Sequence, residues 1–389
     1  MPTSISWATD SWNPFVGCSL ASPGCSNCYA MHQAARILRM QRGLKNGSYY
    51  EGVITAVKGQ PVWTGRINQA SEKARWAPLS WLKPRTIFVG SMSDFFHPVA
   101  LDAWRIEALA IAALTQRHTY LILTKRAADM QRFMSDPATA KAVWTRASEI
   151  AIQRNIKPQR LADTRPGHWP LDNVALGTSV EDQKRADERI PLLLRTPAAK
   201  RFVSIEPMLG PVDLTNIKPP EFDYGDAHGW SAIWRNNHIG RNWLDWVIAG
   251  GENDRGDRPT HPDWIRALRD ACERHGVKFH FKQWGAWAPI SQLPDEQVAD
   301  FWDMEAHVAP GPNDANCRTR LIDRAGRIYR NDQQTAAAEA GAIMMLRVGT
   351  AHSGRTLDGR EHDDVLGDLP SPLAGEGGAR SATDEGVSL

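Results

Sequence analysis

Trp246-Val-Ile-Ala-Gly-Gly-Glu252, the segment from Pro262 to His275, and Val277-Lys-Phe-His-Phe-Lys282 read together as one strand, one helix and one strand. The first and last runs are short, apolar and rich in β-branched or aromatic residues, the pattern of strands buried on both faces. The segment between them has helical period, follows Thr260 in a capping region and stops at Gly276. Moving outward, comparable strand-like runs stand at Thr86-Ile-Phe-Val-Gly90, Thr119-Tyr-Leu-Ile-Leu-Thr124, Val174-Ala-Leu-Gly-Thr-Ser-Val180 and Arg201-Phe-Val-Ser-Ile-Glu206. Helical stretches lie at Leu101 to Gln116 and Asp182 to Leu194. The alternation predicts an α/β fold, a parallel sheet that is open or closed into a partial or complete β/α barrel.

The chain has 389 residues, 42% hydrophobic and 23% charged, with a mean hydropathy of −0.43. Those values exclude global disorder and a membrane-embedded protein. No apolar run reaches the roughly 18–20 residues that span a bilayer, and Met1 to Trp7 has neither a basic n-region nor an apolar h-region. The expectation is a cytoplasmic protein with no membrane partner. A net charge of +2 excludes polyanion binding through total charge and turns attention to local patches. The expected organisation is a barrel over 1–290 with insertions at about 135–170 and 214–243. A C-terminal extension over 291–365 is expected to pack on the barrel, and a tail over 366–389, lacking aromatics, to be disordered.

In such a barrel, functional groups gather just beyond the C-terminal ends of the strands. Here those ends give Ser91, Ser93 and Asp94; Thr124, Lys125 and Arg126; Ser179, Glu181 and Asp182; Glu206; Gly250, Gly251 and Glu252; and Lys282, Gln283 and Trp284. Any one of these is explained by the solvation of loops, but their recurrence on one rim points to a site.

The stretch Trp12-Asn-Pro-Phe-Val-Gly-Cys18-Ser-Leu-Ala-Ser-Pro-Gly-Cys25-Ser-Asn-Cys28-Tyr-Ala30 spaces three thiols as C-x6-C-x2-C. Crowded thiols in a reducing compartment suit metal or redox chemistry better than a disulfide. Thiolates favour zinc or iron–sulfur clusters. Structural zinc needs a fourth ligand, for which His32 and Cys317 are the candidates. A four-iron cluster on three cysteines leaves one iron open to substrate or cofactor. Cys272, on a helix with apolar neighbours, reads as core. Neither a phosphate loop of the Gly-x-x-x-x-Gly-Lys-Ser/Thr type nor a His-Glu-x-x-His motif occurs.

Residues 30–85 hold ten Lys or Arg against two Glu, with Arg36, Arg39 and Arg42 at intervals of three and Tyr49, Tyr50, Trp63, Trp76 and Trp81 interleaved. Phosphate contacts and base stacking would suit nucleic acid in single-stranded or flipped-out form. A solvated helix face with buried tryptophans is the simpler explanation of the same pattern.

Over roughly residues 3–290 the chain resembles the phage and prophage three-cysteine-motif proteins, a family without an established function. The resemblance rests on Asn13-Pro14, Gly17-Cys18, Pro23-Gly24-Cys25, Cys28-Tyr29-Ala30, Ser91-Met-Ser-Asp94 with His97-Pro98, Leu123-Thr-Lys-Arg126, Gly177-Thr-Ser-Val-Glu181, Ser204-Ile-Glu-Pro207, Gly250-Gly-Glu252 and Lys282-Gln-Trp-Gly285. That family in turn is similar to the radical S-adenosylmethionine superfamily, whose partial barrel carries a three-Cys loop after its first strand. The spacing departs from the superfamily's usual C-x3-C-x2-C, and Asn27 stands where an aromatic commonly precedes the third cysteine.

The resemblance implies a 4Fe-4S cluster on Cys18, Cys25 and Cys28, with S-adenosylmethionine as the second cofactor. It further implies reductive cleavage of that cofactor to a deoxyadenosyl radical, and an electron donor such as flavodoxin or ferredoxin. Cofactor contacts are expected of the rim residues Ser91, Asp94, Thr124, Lys125, Ser179, Glu181, Gly250 and Gly251. Glu206, Glu252 and Lys282 are then the candidates for acid–base work or for holding an anionic group. On this reading the first strand lies near residues 5–9, and the substrate is a nucleic acid or nucleotide-like molecule. The other reading is a non-enzymatic nucleic-acid-binding protein braced by zinc.

Overall fold

The computed structural model describes residues 3, 5–41, 48–157, 164–221, 228–234, 243–253, 258–305, 318–329 and 333–366. Its centre is one sheet of seven parallel strands, built in chain order. These are β1 (Asp10–Trp12), β2 (Thr86–Val89), β3 (Thr119–Thr124), β4 (Val174–Val180), β5 (Lys200–Ile205), β6 (Trp246–Gly250) and β7 (Lys278–Gln283). Each strand pairs with its predecessor. A doubly wound sheet would reverse its order at a switch point, and this one does not.

The sheet curls into a half-barrel. Strands β2 and β6 are four places apart, which in a flat sheet is roughly 19 Å. Yet the Trp7 ring sits 4.7 Å from Phe88 of β2 and 6.2 Å from Trp246 of β6. One side chain touches both only if the strands bend around it. Trp7, Phe88, Leu121, Ala175, Phe202, Trp246 and Ile248 fill this interior. Gly177 is required there, because a Cβ would lie 2.6 Å from the Phe202 ring. On the outer face Ile87, Tyr120, Ile122, Leu176, Val203 and Val247 belong to the larger core beneath the helices. The period of two between the faces explains why the strands read as continuously apolar.

The first strand differs from expectation: it is Asp10–Trp12, and the preceding Trp7 plugs the interior instead of joining the sheet. The helices are α1 (Tyr29–Met40), α2 (Asp102–Ala113), α3 (Ala127–Ser135), α4 (Pro137–Gln153), α5 (Gln183–Arg195) and α6 (Pro262–His275). Their ends follow the local chemistry. The His261 ring accepts from Asp263 N at 3.1 Å with Pro262 in the first turn, and Gly276 closes α6 at φ +64°. Asp182 caps α5 by accepting from Arg185 N at 2.9 Å.

Within 135–170, α4 lies against α2, with Arg146 2.9 Å from Glu107. Within 214–243, Ile217 and Trp230 form an antiparallel bridge. Beyond β7 a small antiparallel sheet joins Trp287–Pro289, Ile343–Arg347, Thr319–Ile322 and Ile328–Tyr329. The chain then returns to β7: Phe281 N donates to His362 O at 2.8 Å, and Trp246 Nε1 to Asp364 O at 2.9 Å. Residues 367–389, for which disorder is expected, lie outside the described residues. Among the described residues no helix is long and apolar enough to cross a membrane.

Candidate functional site

A cavity of about 630 Å³ opens at the C-terminal ends of the strands, above the aromatic plug. Of the residues anticipated from sequence, Cys18, Cys25, Cys28, Ser91, Asp94, Thr124, Lys125, Ser179, Glu206, Gly251, Glu252 and Lys282 line it. Glu181 and Gly250 do not. Trp7, Phe88 and Leu123 supply apolar wall.

The cysteine loop leaves β1 and is pinned to the turn after β2. Asn13 Nδ2 donates to Ser91 Oγ at 3.0 Å, Met92 N donates to Asn13 Oδ1 at 2.8 Å, and Gly17 N donates to Met92 O at 3.0 Å. Cys25 ends a short turn over Pro23–Cys25, and Cys28 is the cap residue of α1. All three thiols are half-buried and reduced. Burial, the Asp94 carboxylate and the other two cysteines push the Cys18 thiol up to about 12 against the opposing Arg126. Burial likewise raises Cys28. Cys18 and Cys28 therefore hold their protons at neutral pH.

Charged groups stand in pairs around the thiols. Asp94 accepts from Thr124 Oγ1 at 2.5 Å, Arg126 Nη1 at 2.8 Å, Lys125 N at 3.0 Å and Phe96 N at 3.1 Å. Arg126 also donates to Ser19 O and Oγ, at 3.1 and 2.8 Å. Lys282 Nζ is 3.1 Å from Glu206 Oε1, an ion pair without hydrogen-bond alignment, and Ser204 Oγ donates to Glu206 Oε2 at 3.0 Å. Arg258 grips Glu252 through both Nε and Nη2. Ser179 Oγ points to Glu206 O at 3.4 Å.

Glu181, expected as a cofactor contact, is not among the residues that line the cavity. Its side chain is 0% exposed, and its oxygens are taken by Lys125, Arg189 and Ser22. Burial by itself would raise this carboxyl, but Lys125 and Arg189 outweigh it and hold it below the usual carboxylate range. The two glycines serve sterics: a Cβ on Gly251 would lie 1.8 Å from Trp284 O, and one on Gly250 would lie 2.8 Å from Glu206 Oε1. Cys272 is fully buried in the core, as anticipated.

Among the described residues no three His, Cys, Asp or Glu side chains form a group able to hold one metal ion. Cys317 lies outside the described residues. In the basic stretch, Arg36 and Arg39 are exposed on α1, whereas Arg42 and Lys45 lie outside the described residues. Tyr50, Trp63 and Trp76 are buried, Trp63 among the residues that line the cavity, and Arg85 covers Trp81 with its guanidinium 4.7 Å from the ring.

Sequence reasoning missed Ser22, Arg189, Arg258 and Arg355. The last belongs to the C-terminal extension, whose Thr350, Ala351, Gly354 and Arg355 wall one side of the cavity. Arg355 Nε donates to Lys282 O at 3.2 Å. Ser22, Arg258 and Arg355 meet partners 159, 235 and 73 residues away, which nothing in their local sequence announces.

The family described as "Protein of unknown function (DUF5131)" matches residues 2–366, and the chain belongs to it. No curated protein matches the chain. No solved structure matches it either.

Proposed function

We propose that this member of the DUF5131 family is an iron–sulfur enzyme of the radical S-adenosylmethionine type that modifies or repairs a nucleic acid or nucleotide-like substrate in a phage or prophage setting. One observation carries the reading: a single loop after the first strand turns three thiols into a cavity at the mouth of a sequential parallel half-barrel. Three thiolates are ligands of the type an iron–sulfur cluster takes, and a four-iron cluster on three of them leaves one iron without a protein ligand.

Cys18, Cys25 and Cys28 would hold the cluster. When bound, it supplies the electron for reductive cleavage of the sulfonium cofactor. Arg126, 3.9 Å from the Cys18 sulfur, tunes that ligand from behind. Trp7, Phe88 and Leu123 keep water from the floor of the cavity. Glu206, with Oε1 3.1 Å from Lys282 Nζ, is the candidate acid or base of the cavity. Lys125, Lys282 and Arg355 present cationic donors to anionic parts of a ligand. The exposed Arg36 and Arg39 of α1 are suited to phosphate contact outside the cavity.

The test is anaerobic purification with metal analysis. The reading expects brown protein with about four irons and absorbance at about 400 nm. With S-adenosylmethionine and either dithionite or a flavodoxin or ferredoxin as electron donor, it expects release of 5′-deoxyadenosine. Colourless protein with one zinc would replace it with a non-catalytic, nucleic-acid-binding protein.

A further inference from the structure

We infer that Glu181 and Arg258 are positioning residues that latch the tip of the cysteine loop, Ser22-Pro23, across the strand ends and so fix where Cys25 stands. The inference rests on the reading above only for what Cys25 does; the latch itself belongs to the metal-free chain.

The loop starts from β1, yet its tip is held by residues beyond β4 and β6. Ser22 Oγ donates to Glu181 Oε1 at 2.5 Å. Glu181 is itself immobilised, fully buried between Lys125 and Arg189. One residue on, Arg258 Nη1 donates to Pro23 O at 2.9 Å while its other nitrogens engage Glu252, a geometry that leaves the guanidinium little freedom. Next comes Gly24, where a Cβ would fall 2.5 Å from Glu181 Cγ. Three consecutive residues are thus fitted to carboxylate-centred anchors, immediately before the second thiol. The six residues between Cys18 and Cys25 are what let the loop reach that far.

Glu181 and Arg258 meet the loop at Ser22 and Pro23, so their effect on chemistry passes through Cys25. A readout at that thiol separates the latch from general stability. Chelator-treated, reduced protein is alkylated with iodoacetamide, and each cysteine is followed by peptide mass spectrometry. Ser22→Ala should raise the Cys25 rate about tenfold through loss of the hydrogen bond. Cys18 and Cys28 should stay within about twofold, and buried Cys272 should remain protected. Gly24→Ala, which displaces the loop from Glu181, should do the same without touching the Ser22 hydroxyl, and Ser22→Thr should keep the parent rate.

An unchanged Cys25 rate in both Ser22→Ala and Gly24→Ala overturns the latch, as does an equal rise at all three thiols. Failure of the iron–sulfur reading would appear instead as parent protein without iron, which leaves the alkylation result intact.

Discussion

Arg126 Nη1 stands 2.8 Å from Asp94 Oδ2, tying the turn after β3 to the turn after β2 directly behind the first thiol. Asp94 takes three further donors, so its removal strands a buried guanidinium and two backbone amides. Asp94→Ala is predicted to cost about 3–5 kcal/mol. Urea unfolding measures it, and a loss under about 1 kcal/mol would contradict the pairing.

The four described cysteines should divide by environment. On the proposed reading, Cys25→Ala is predicted to lose bound iron and the associated visible absorbance. Cys272→Ala should keep both and lose only about 1 kcal/mol of stability, because Cys272 is packed in the core with burial pushing its thiol up to about 12. Iron content per chain in the two variants decides the matter.

Glu206 is the carboxylate best placed to act on a ligand, since it lines the cavity and is paired only at its edges. Glu206→Gln is predicted to retain fold and iron yet slow product formation by about 100-fold. Equal rates in the two proteins would remove Glu206 from the chemistry.

His118 sets a pH dependence apart from the site. Burial, with Arg117 adding, lowers its imidazole to about 4. The unfolded chain binds a proton near pH 6.5 that the folded chain refuses, so stability falls as the pH drops from about 6.5 to 4 and is fully kept above that window. The slope is about 1.4 kcal/mol per pH unit for one imidazole. Denaturation midpoints across this range should vary less steeply in His118→Leu, while His97, which burial also lowers to about 4, keeps its own share of the slope; an unchanged slope would assign the effect elsewhere.

Two adjacent glycines should fail differently. Gly251→Ala drives a methyl into a backbone carbonyl that has no room to move, and the expected result is insoluble or unfolded protein. At Gly250 the obstacle is the end of the Glu206 side chain, so Gly250→Ala should fold and lower activity by displacing that carboxylate. Soluble expression and circular dichroism distinguish the pair.

The strands from β2 to β7 were readable because each is apolar on both faces, a signal that survives without knowledge of partners. The first strand was not, since three residues beginning with Asp10 carry no period, and Trp7 before it serves the interior instead. Most of the rim was legible from strand ends. Glu181 sits between two cations, and in sequence a carboxylate after a strand looks the same whether it faces a ligand or such a pair. Arg258 and Pro23 are separated by 235 residues, and Arg355 sits in a glycine-rich turn, so neither contact leaves a trace in local pattern.

The return of residues 362–364 to β7 has a consequence for the integrity of the whole sheet. Where a closed barrel would place an eighth strand, this molecule borrows its own far end, with Asp363 bridged to His280 and His280 in turn 2.8 Å from Ser6. Shortening the protein ahead of Arg360 would therefore bare unsatisfied main-chain groups along a flank that invites association between copies.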